Sequence, residues 1–163
     1  TGVNTGHCGK NLFDYTNPDN WYVAETPTLR KKTSTMGSIS ISDGVVTLNR
    51  TNILAGLTLV LGYLLANQQY TISCITTGTN RQAYIARIDS ELLDNYTSTR
   101  FYEANFLNNA VIFTPSQNGM YELLLWNSGR GSLTVQKAQL ERGSVATEYE
   151  PYKSNAILPN EYQ

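Results

Sequence analysis

The sequence predicts an all-β protein whose strands form an antiparallel β-sandwich or barrel. Apolar and polar residues alternate over short runs, whereas no segment keeps a 3.6-residue period over three helical turns. Turn residues separate these runs, which gives roughly eight to ten strands spaced about every 8–12 residues. Thr, Asn and Ser together number 47 among 163 residues, against 25 charged side chains, and the composition is not that of a helical bundle.

The clearest element is a hairpin in the first third of the chain. Residues 38–42 alternate, with isoleucines on one side and serines on the other. Asp43-Gly44 follows, and residues 45–48 form a second apolar run. An Asp-Gly pair between two such runs is a strong signal for a two-residue turn, so we predict a β-hairpin here.

The remaining strands are predicted from runs of the same kind. They cover residues 70–75, 82–88, 100–106, 111–114, 120–126 and 132–140. In the last run the apolar residues change parity after Val135, so we predict a β-bulge near Gln136-Lys137. Residues 90–95 carry a helical signal of one or two turns, with Ser90 as its cap.

Strand parity also indicates a candidate ligand surface. In 82–88 we place Tyr84, Ala86 and Ile88 in the core, because Arg87 is expected to avoid it. If the predicted strands share one sheet, its outer face is polar and nearly neutral, with one large aromatic ring. The candidate ligand contacts on it are Arg87, Glu122, Trp126, Thr134 and Gln136, beside Thr71 and Ser73. Such a face suits a sugar, whose C–H faces pack on aromatic rings and whose hydroxyls need many donors and acceptors.

Two alternatives to this surface stay open. Trp126 can instead plug the edge of the core, as we expect for Trp21 after the turn at 17–20. Loops at one end of the sandwich are the other common ligand position. Tyr102 is a candidate ligand contact there, in a set that also contains Tyr22, Tyr63 and Tyr96.

Charge and hydropathy exclude several classes of partner. A net charge of -1 without a basic run does not favour nucleic acid binding. The longest apolar stretch, 53–66, is interrupted by Gly56, Thr58, Gly62 and Tyr63, so we expect no membrane insertion. The 40% hydrophobic content also argues against a disordered chain.

Catalytic constellations are not apparent, and we predict that the protein is not an enzyme. The single histidine, His7, lies beside Cys8 in a Gly-rich end and makes at most half a zinc site. There is no phosphate-binding loop with a lysine. Glu103 and Glu122 are the acids within predicted strands, but no spacing rule pairs them for glycoside cleavage.

The chain is predicted to hold one domain, residues 10–153, between connecting segments at 1–9 and 154–163. Its beginning and end look like cuts from a longer polypeptide, so we expect a module. Cys74 shares the parity of the apolar residues of its strand and is expected to be a small buried hydrophobe.

The end of the domain carries a specific motif. Residues 139–152 read Q-L-E-x-G-S-x-A-T-x-Y-E-P-Y. Upstream lie Asn11-Leu-Phe followed by Trp21, the strand beginning Gln69-Tyr-Thr, and a turn and strand over 113–121. In this combination the chain resembles jelly-roll carbohydrate-binding modules in tail and baseplate proteins of phages that infect Gram-positive bacteria. The resemblance covers roughly residues 10–153.

The resemblance implies a jelly-roll sandwich, a virion location and noncatalytic adhesion to host cell-wall saccharide. It implies as partners a host cell-surface polysaccharide and, through the parent chain, other phage tail proteins. Many relatives hold a structural Ca²⁺ after the opening Asn-Leu, and here Asp14 is the candidate ligand. Otherwise we expect no cofactor. Gln139, Leu140 and Glu141 are expected to close the sandwich, and Gly143 to occupy a turn with positive φ.

Two other functions remain open at this stage. The domain can be a structural spacer or decoration that makes protein contacts in the baseplate. It can also be a binding module of a bacterial glycoside hydrolase. The identity of the parent polypeptide would distinguish these from adhesion.

Overall fold

The computed structural model describes residues 9–105 and 109–154, with the side chains of 9–99 and 109–154. The described residues form eleven strands and one short 3₁₀ turn at Pro18–Asn20. The strands are β1 Trp21–Ala24, β2 Leu29–Lys31, β3 Gly37–Ser42, β4 Val45–Arg50, β5 Gly56–Leu64, β6 Tyr70–Thr76, β7 Gln82–Ile88, β8 Asn95–Asn105, β9 Ala110–Phe113, β10 Gly119–Trp126 and β11 Leu133–Arg142. Among these residues, no helix has the length and apolar character needed to cross a membrane.

The strands build two antiparallel sheets. One contains β1-β2-β8-β7-β10-β5, and the other, the open sheet, has the order β3-β4-β11-β6-β9. From β5 onward the chain passes repeatedly from one sheet to the other, with only β7 and β8 adjacent in both sequence and sheet. The prediction of an all-β antiparallel sandwich with jelly-roll character is therefore confirmed.

The six-stranded sheet closes on itself, and we call it the closed sheet. Closure occurs because β1 pairs with β2 at one edge and with β5 at the other. One face of the closed sheet packs against the open sheet, with Leu57, Leu123 and Ile85 in the main core. The opposite face lines the interior that the closed sheet encloses. There Tyr22 and Tyr96 belong to a second, smaller hydrophobic cluster.

Several local predictions are confirmed. Asp43 and Gly44 both have positive φ, 51° and 74°, as the two-residue hairpin turn between β3 and β4 requires. The register of β11 shifts between Gln136 and Gln139, and Lys137 has φ 52°, so the bulge lies where the parity change indicated. Trp21 is buried in the main core.

One local prediction is wrong, and a second is wrong in part. Residues 90–94 form no helix, and the Ser90 hydroxyl instead accepts a hydrogen bond from the backbone N–H of Thr97. In β7, Ala83 and Ile85 occupy the main core and Tyr84 does not, whereas Ala86 and Ile88 are buried as predicted. Arg87 shares the parity of Ala83 and Ile85, but its side chain is 38% exposed and reaches Asp89 at 3.5 Å near the end of the strand.

The closing motif clamps the two ends of the domain onto β11. Gln139 is 1% exposed, donates to Glu141 and to the carbonyls of Thr147 and Glu148, and accepts from the Glu150 N–H. The Glu141 carboxylate accepts the backbone N–H of Thr147 at 3.1 Å. These groups form the clasp, which gives the motif the structural role expected of it. Gly143 has φ 99°, as predicted.

Asn11 joins the beginning of the domain to the same clasp. Its amide donates to the carbonyls of Ala138 and Glu150, and its oxygen accepts the N–H groups of Phe13 and Leu140. The Asn near the start of the domain therefore supplies hydrogen-bond partners to four backbone groups, at the point where the first segment meets β11 and Glu150.

Cys74 is the cysteine that the described residues include. Cys74 is buried in the main core, and burial raises the pKa of its thiol to about 12, which confirms a packing residue with little thiolate character. His7 and Cys8 lie outside the described residues, as do most of the two predicted connecting segments, 1–9 and 154–163.

Candidate functional site

The inner face of the closed sheet changes character along β10. Met120 packs against the small cluster of Tyr22 and Tyr96, which meet edge to face at 4.6 Å between ring centroids. Further along β10, Glu122 is buried in the middle of the enclosed space, and Leu124 and Trp126 line a cleft at the end of the strand. The closed sheet is thus filled at one end and open at the Trp126 end.

An open cleft of about 430 Å³ occupies that end, and we call it the Trp126 cleft. Its floor is formed by Leu124 and Tyr84, which are register partners on β10 and β7, and by the next pair, Trp126 and Gln82. Cross-strand neighbours of this kind lie close enough for their side chains to act together. The cleft therefore has an apolar, aromatic floor.

Polar groups border this floor. The Tyr84 hydroxyl donates to Gln82 Oε1 at 3.1 Å. Glu25 lies on the rim near Thr26, where the hydrogen bond from Ser34 and, to a smaller extent, Lys31 hold the pKa of the Glu25 carboxyl below its ordinary value. The rim thus carries an ionised acceptor at neutral pH beside amide and hydroxyl groups.

Two arginines brace separate walls of the cleft. Arg50 donates to the carbonyls of Ile53, Asn127, Gly129 and Gly131, and the Trp126 indole N–H donates to the same Ile53 carbonyl at 3.0 Å. This wall includes Leu54, which is 67% exposed. The other wall, Glu25–Pro27, is braced by Arg30.

Glu122 does not belong to an exposed polar face, so that part of the sequence prediction is wrong. Its side chain is 0% exposed and lies 2.7 Å from Arg30 Nη2. The hydroxyls of Tyr96 and Ser98 donate to its other oxygen at 2.9 and 2.7 Å. The closure of the sheet, which strand parity does not report, buries it with all its partners supplied by the protein.

The structure also separates the other candidate ligand residues. Thr134 and Gln136 lie on β11, in the open sheet, so the assumption of one shared sheet with Trp126 is wrong. Arg87 lies opposite Tyr121, away from the cleft. Tyr102 pairs with Ile85 in the β7–β8 register, and its side chain lies outside the described residues. Ligand contacts by these four residues stay predictions.

Asp14, the candidate calcium ligand, is engaged locally. One carboxylate oxygen accepts both the N–H and the hydroxyl of Thr16. In 9–99 and 109–154, no three His, Cys, Asp or Glu side chains come together as a metal site. Ca²⁺ takes six to eight oxygen ligands, and the side chains around Asp14 do not assemble a carboxylate set that fits it.

Sequence reasoning found Trp126 but missed the residues that surround it. Tyr84 was assigned to the core because Arg87 was expected to face outward, and Leu54 and Glu25 lie outside the predicted strands. Leu54 and Glu25 lie beside Trp126 and Tyr84 because β1 pairs with both β2 and β5 and so closes the sheet. The only local signal was the alternation of Gln82 and Tyr84 on one parity.

Comparisons with known proteins give distant similarities. No family model matches the chain, and no curated protein matches it. Among solved structures, it is similar to the CBM22-1–GH10 modules of Clostridium thermocellum xylanase 10B complexed with xylohexaose, with 13% identity over 94% of this chain and 31% of that chain, at a TM-score of 0.49. The chain therefore spans less than a third of that xylanase.

Two further structures show similarity at the same level. Tailspike protein 4 of bacteriophage CBA120 has 12% identity over 85% of this chain and 21% of that chain, with a TM-score of 0.48. The CBM4 module has 13% identity over 77% of this chain and 96% of its own, with a TM-score of 0.47. At these values the similarities do not assign a function.

Proposed function

We propose that the chain is a noncatalytic carbohydrate-binding domain of a phage tail or baseplate protein and that it adheres to host cell-wall saccharide. The observation that carries the proposal is the Trp126 cleft, in which an indole and a phenol ring lie on one sheet face beside amide, hydroxyl and carboxylate groups.

The chemistry of the cleft fits a sugar ring. Apolar C–H faces of a sugar pack on the rings of Trp126 and Tyr84, as aromatic side chains favour. Hydroxyl groups of the sugar pair with Gln82 and donate to the Glu25 carboxylate, which in its ionised form has acceptors and no donor. A concave, largely apolar site with a few polar groups is the usual form of a small-molecule site.

The phage location rests on the sequence resemblance. The motif over 139–152 builds the clasp, which closes the domain and lies away from the cleft residues. The motif therefore supports membership in a type of module, whereas the cleft supports the ligand class. The virion location and the host surface as target are parts of the same proposal.

A second candidate function is a spacer that makes protein contacts, and the outer face of the open sheet favours it. That face carries Ser40, Thr47, Thr134 and Gln136 as neighbours across β3, β4 and β11, and Ile75 beside them is 40% exposed. Its lack of charge in this area suits a flat contact with another protein. A glycoside hydrolase module would use the same cleft, and the parent polypeptide distinguishes it.

Cell labelling tests the proposed adhesion. The full chain, fused to a fluorescent protein, is expected to label Gram-positive cells and to bind their purified cell-wall polysaccharide. Trp126→Ala is expected to weaken that binding by about tenfold or more, because it removes the main apolar platform. The thermal midpoint is expected to change little, since Trp126 is only half-buried.

The matched control is Tyr63→Ala, which removes another exposed aromatic ring, 63% exposed, outside the cleft. It is expected to leave labelling unchanged. Equal losses for both variants, or no labelling by a folded native chain across hosts, would contradict adhesion through the Trp126 cleft. Specific contact with a tail protein in that case would favour the spacer.

A further inference from the structure

The ion pair inside the closed sheet is unusual for its burial. The Arg30 and Glu122 side chains are 1% and 0% exposed, and they lie 2.7 Å apart. Removing two charges from water is costly, and apolar replacements of a buried pair are often as stable or more so. Stability alone therefore does not account for an ion pair at this position.

The Arg30 guanidinium contacts both the carboxylate and the backbone of the adjacent turn. Arg30 Nη1 donates to the carbonyls of Thr26 and Leu29, at 3.0 and 3.3 Å, and Nη2 donates to that of Pro27 at 3.2 Å. Its Nε donates to Glu122 at 2.8 Å. Arg30 thus links the turn that joins β1 to β2 with Glu122 on β10.

The same turn forms one wall of the Trp126 cleft. Glu25, Thr26 and Pro27 line the cleft, and Leu124 on its floor lies two residues from Glu122. The Thr26 hydroxyl accepts the N–H of Leu29 at 2.9 Å, so the turn is compact but is tied to the sheet through Arg30. The pair therefore joins the wall of the cleft to its floor.

Glu122 is itself held in one orientation. Tyr96 and Ser98 occupy one carboxylate oxygen, and Arg30 occupies the other. Burial and the Glu122 charge raise the pKa of Tyr96, so its hydroxyl stays a donor in neutral solution. The guanidinium accordingly has a rigid partner.

We propose that Arg30 and Glu122 are positioning residues that set the distance between the Thr26–Pro27 wall and the floor of the Trp126 cleft. The inference deepens the proposed function, because it assigns a role in ligand binding to groups that never touch the ligand. Its structural part holds whether or not the ligand is a saccharide.

Hydrogen exchange and binding test the proposal together. Arg30→Lys keeps a cation but cannot bridge the carboxylate and three carbonyls. The combined variant Arg30→Met, Glu122→Leu, Tyr96→Phe and Ser98→Ala removes the whole network without leaving a buried charge. In both, the amides of Glu25, Thr28 and Leu29 are expected to exchange about tenfold faster or more, while β10 amides keep their rates.

Arg50→Met is the control, because Arg50 also holds a wall of the cleft through backbone carbonyls but does not belong to the network of Arg30 and Glu122. It is expected to speed exchange at residues 51–55 and to leave the Thr26–Pro27 turn unchanged. Binding of the cell-wall polysaccharide that the native chain labels is expected to weaken about tenfold in the combined variant even when its thermal midpoint equals that of the native chain.

The outcomes separate this inference from the proposed function. Unchanged exchange in the turn of a folded Arg30 variant would overturn the positioning role. Faster exchange with undiminished polysaccharide binding would overturn its link to the ligand. Faster exchange in a protein whose native form binds no polysaccharide would support the mechanical role and contradict the proposed function alone.

Discussion

Two buried polar networks hold this domain, and they differ in what they join. The clasp connects Asn11 near the start of the domain to β11 and to Thr147–Glu150, largely through bonds between side chains and backbone. The network in the closed sheet joins side chains of β2, β8 and β10 around one buried ion pair. The clasp secures the ends of the fold, whereas the second network shapes the interior next to the cleft.

The two networks differ in how they accommodate a buried carboxylate. Glu141 in the clasp is 5% exposed and accepts from backbone and side-chain donors, and no cation of the described residues is in hydrogen-bond contact with it. Glu122 is wholly enclosed and depends on Arg30. A defect in the clasp leaves neutral or part-buried groups such as the Glu150 N–H unpaired, whereas a defect inside the closed sheet leaves a fully buried charge without a partner.

The largest effect is expected from breaking the ion pair on one side only. Glu122→Ala is expected to destabilise the fold by about 3–5 kcal/mol, because it leaves the Arg30 guanidinium buried and uncompensated. Urea unfolding, followed by the fluorescence of buried Trp21, measures the change.

Asp89→Ala serves as the control for Glu122→Ala, since it breaks the Arg87 ion pair at the surface. Side-chain exposure there is 38% for Arg87 and 30% for Asp89. Its effect is expected to stay within about 1 kcal/mol. If the two variants lose equal stability, breaking the enclosed ion pair costs no more than breaking one at the surface. That result would contradict the difference drawn between the two networks.

A smaller loss is expected from the clasp. Gln139→Ala is expected to cost about 2 kcal/mol, because the part-buried N–H of Glu150 loses its acceptor but no charge is left uncompensated. Gln136→Ala on the same strand changes a half-buried side chain on the outer face and is expected to stay within about 0.5 kcal/mol. If Gln139→Ala lowers the free energy of unfolding as much as Glu122→Ala does, the two networks do not differ in the cost of a defect.

The clasp was accessible to sequence reasoning and the closed-sheet network was not. Gln139, Glu141 and Thr147 lie within nine positions and form one motif. Arg30 and Glu122 are 92 positions apart, and Glu122 is 24 and 26 positions from its partners Ser98 and Tyr96. Spacing reveals contacts within a strand or turn, but contacts of the second kind follow only from the order of strands in the sheet.

The candidate site shows the same division. The hairpin at Asp43-Gly44 and the bulge at Lys137 were predictable because backbone twist and parity are local. The parity that puts Glu122 and Trp126 on one face of β10 was predictable, but that face was expected to be an outer one. Parity names a face and does not say whether that face meets water. In β7 the rule that arginine avoids the core assigned Tyr84 to the wrong face, because Arg87 shares the parity of Ala83 and Ile85 and yet keeps its side chain 38% exposed near the strand end.

The finest contrast between the two regions uses one substitution at two buried threonines. Thr58, inside the closed sheet, is 0% exposed, and its hydroxyl has no hydrogen-bond partner among the described residues. Thr71, beside the clasp, donates to the Gly143 carbonyl at 2.7 Å. Thr58→Val is expected to stabilise the fold by about 1 kcal/mol, because a methyl group replaces an unpaired buried hydroxyl, whereas Thr71→Val is expected to cost about 1 kcal/mol. Urea midpoints that move in opposite directions would bear out this contrast. A loss at Thr58 would mean that its hydroxyl has a partner, such as an enclosed water, and that the closed sheet satisfies its polar groups as completely as the clasp does.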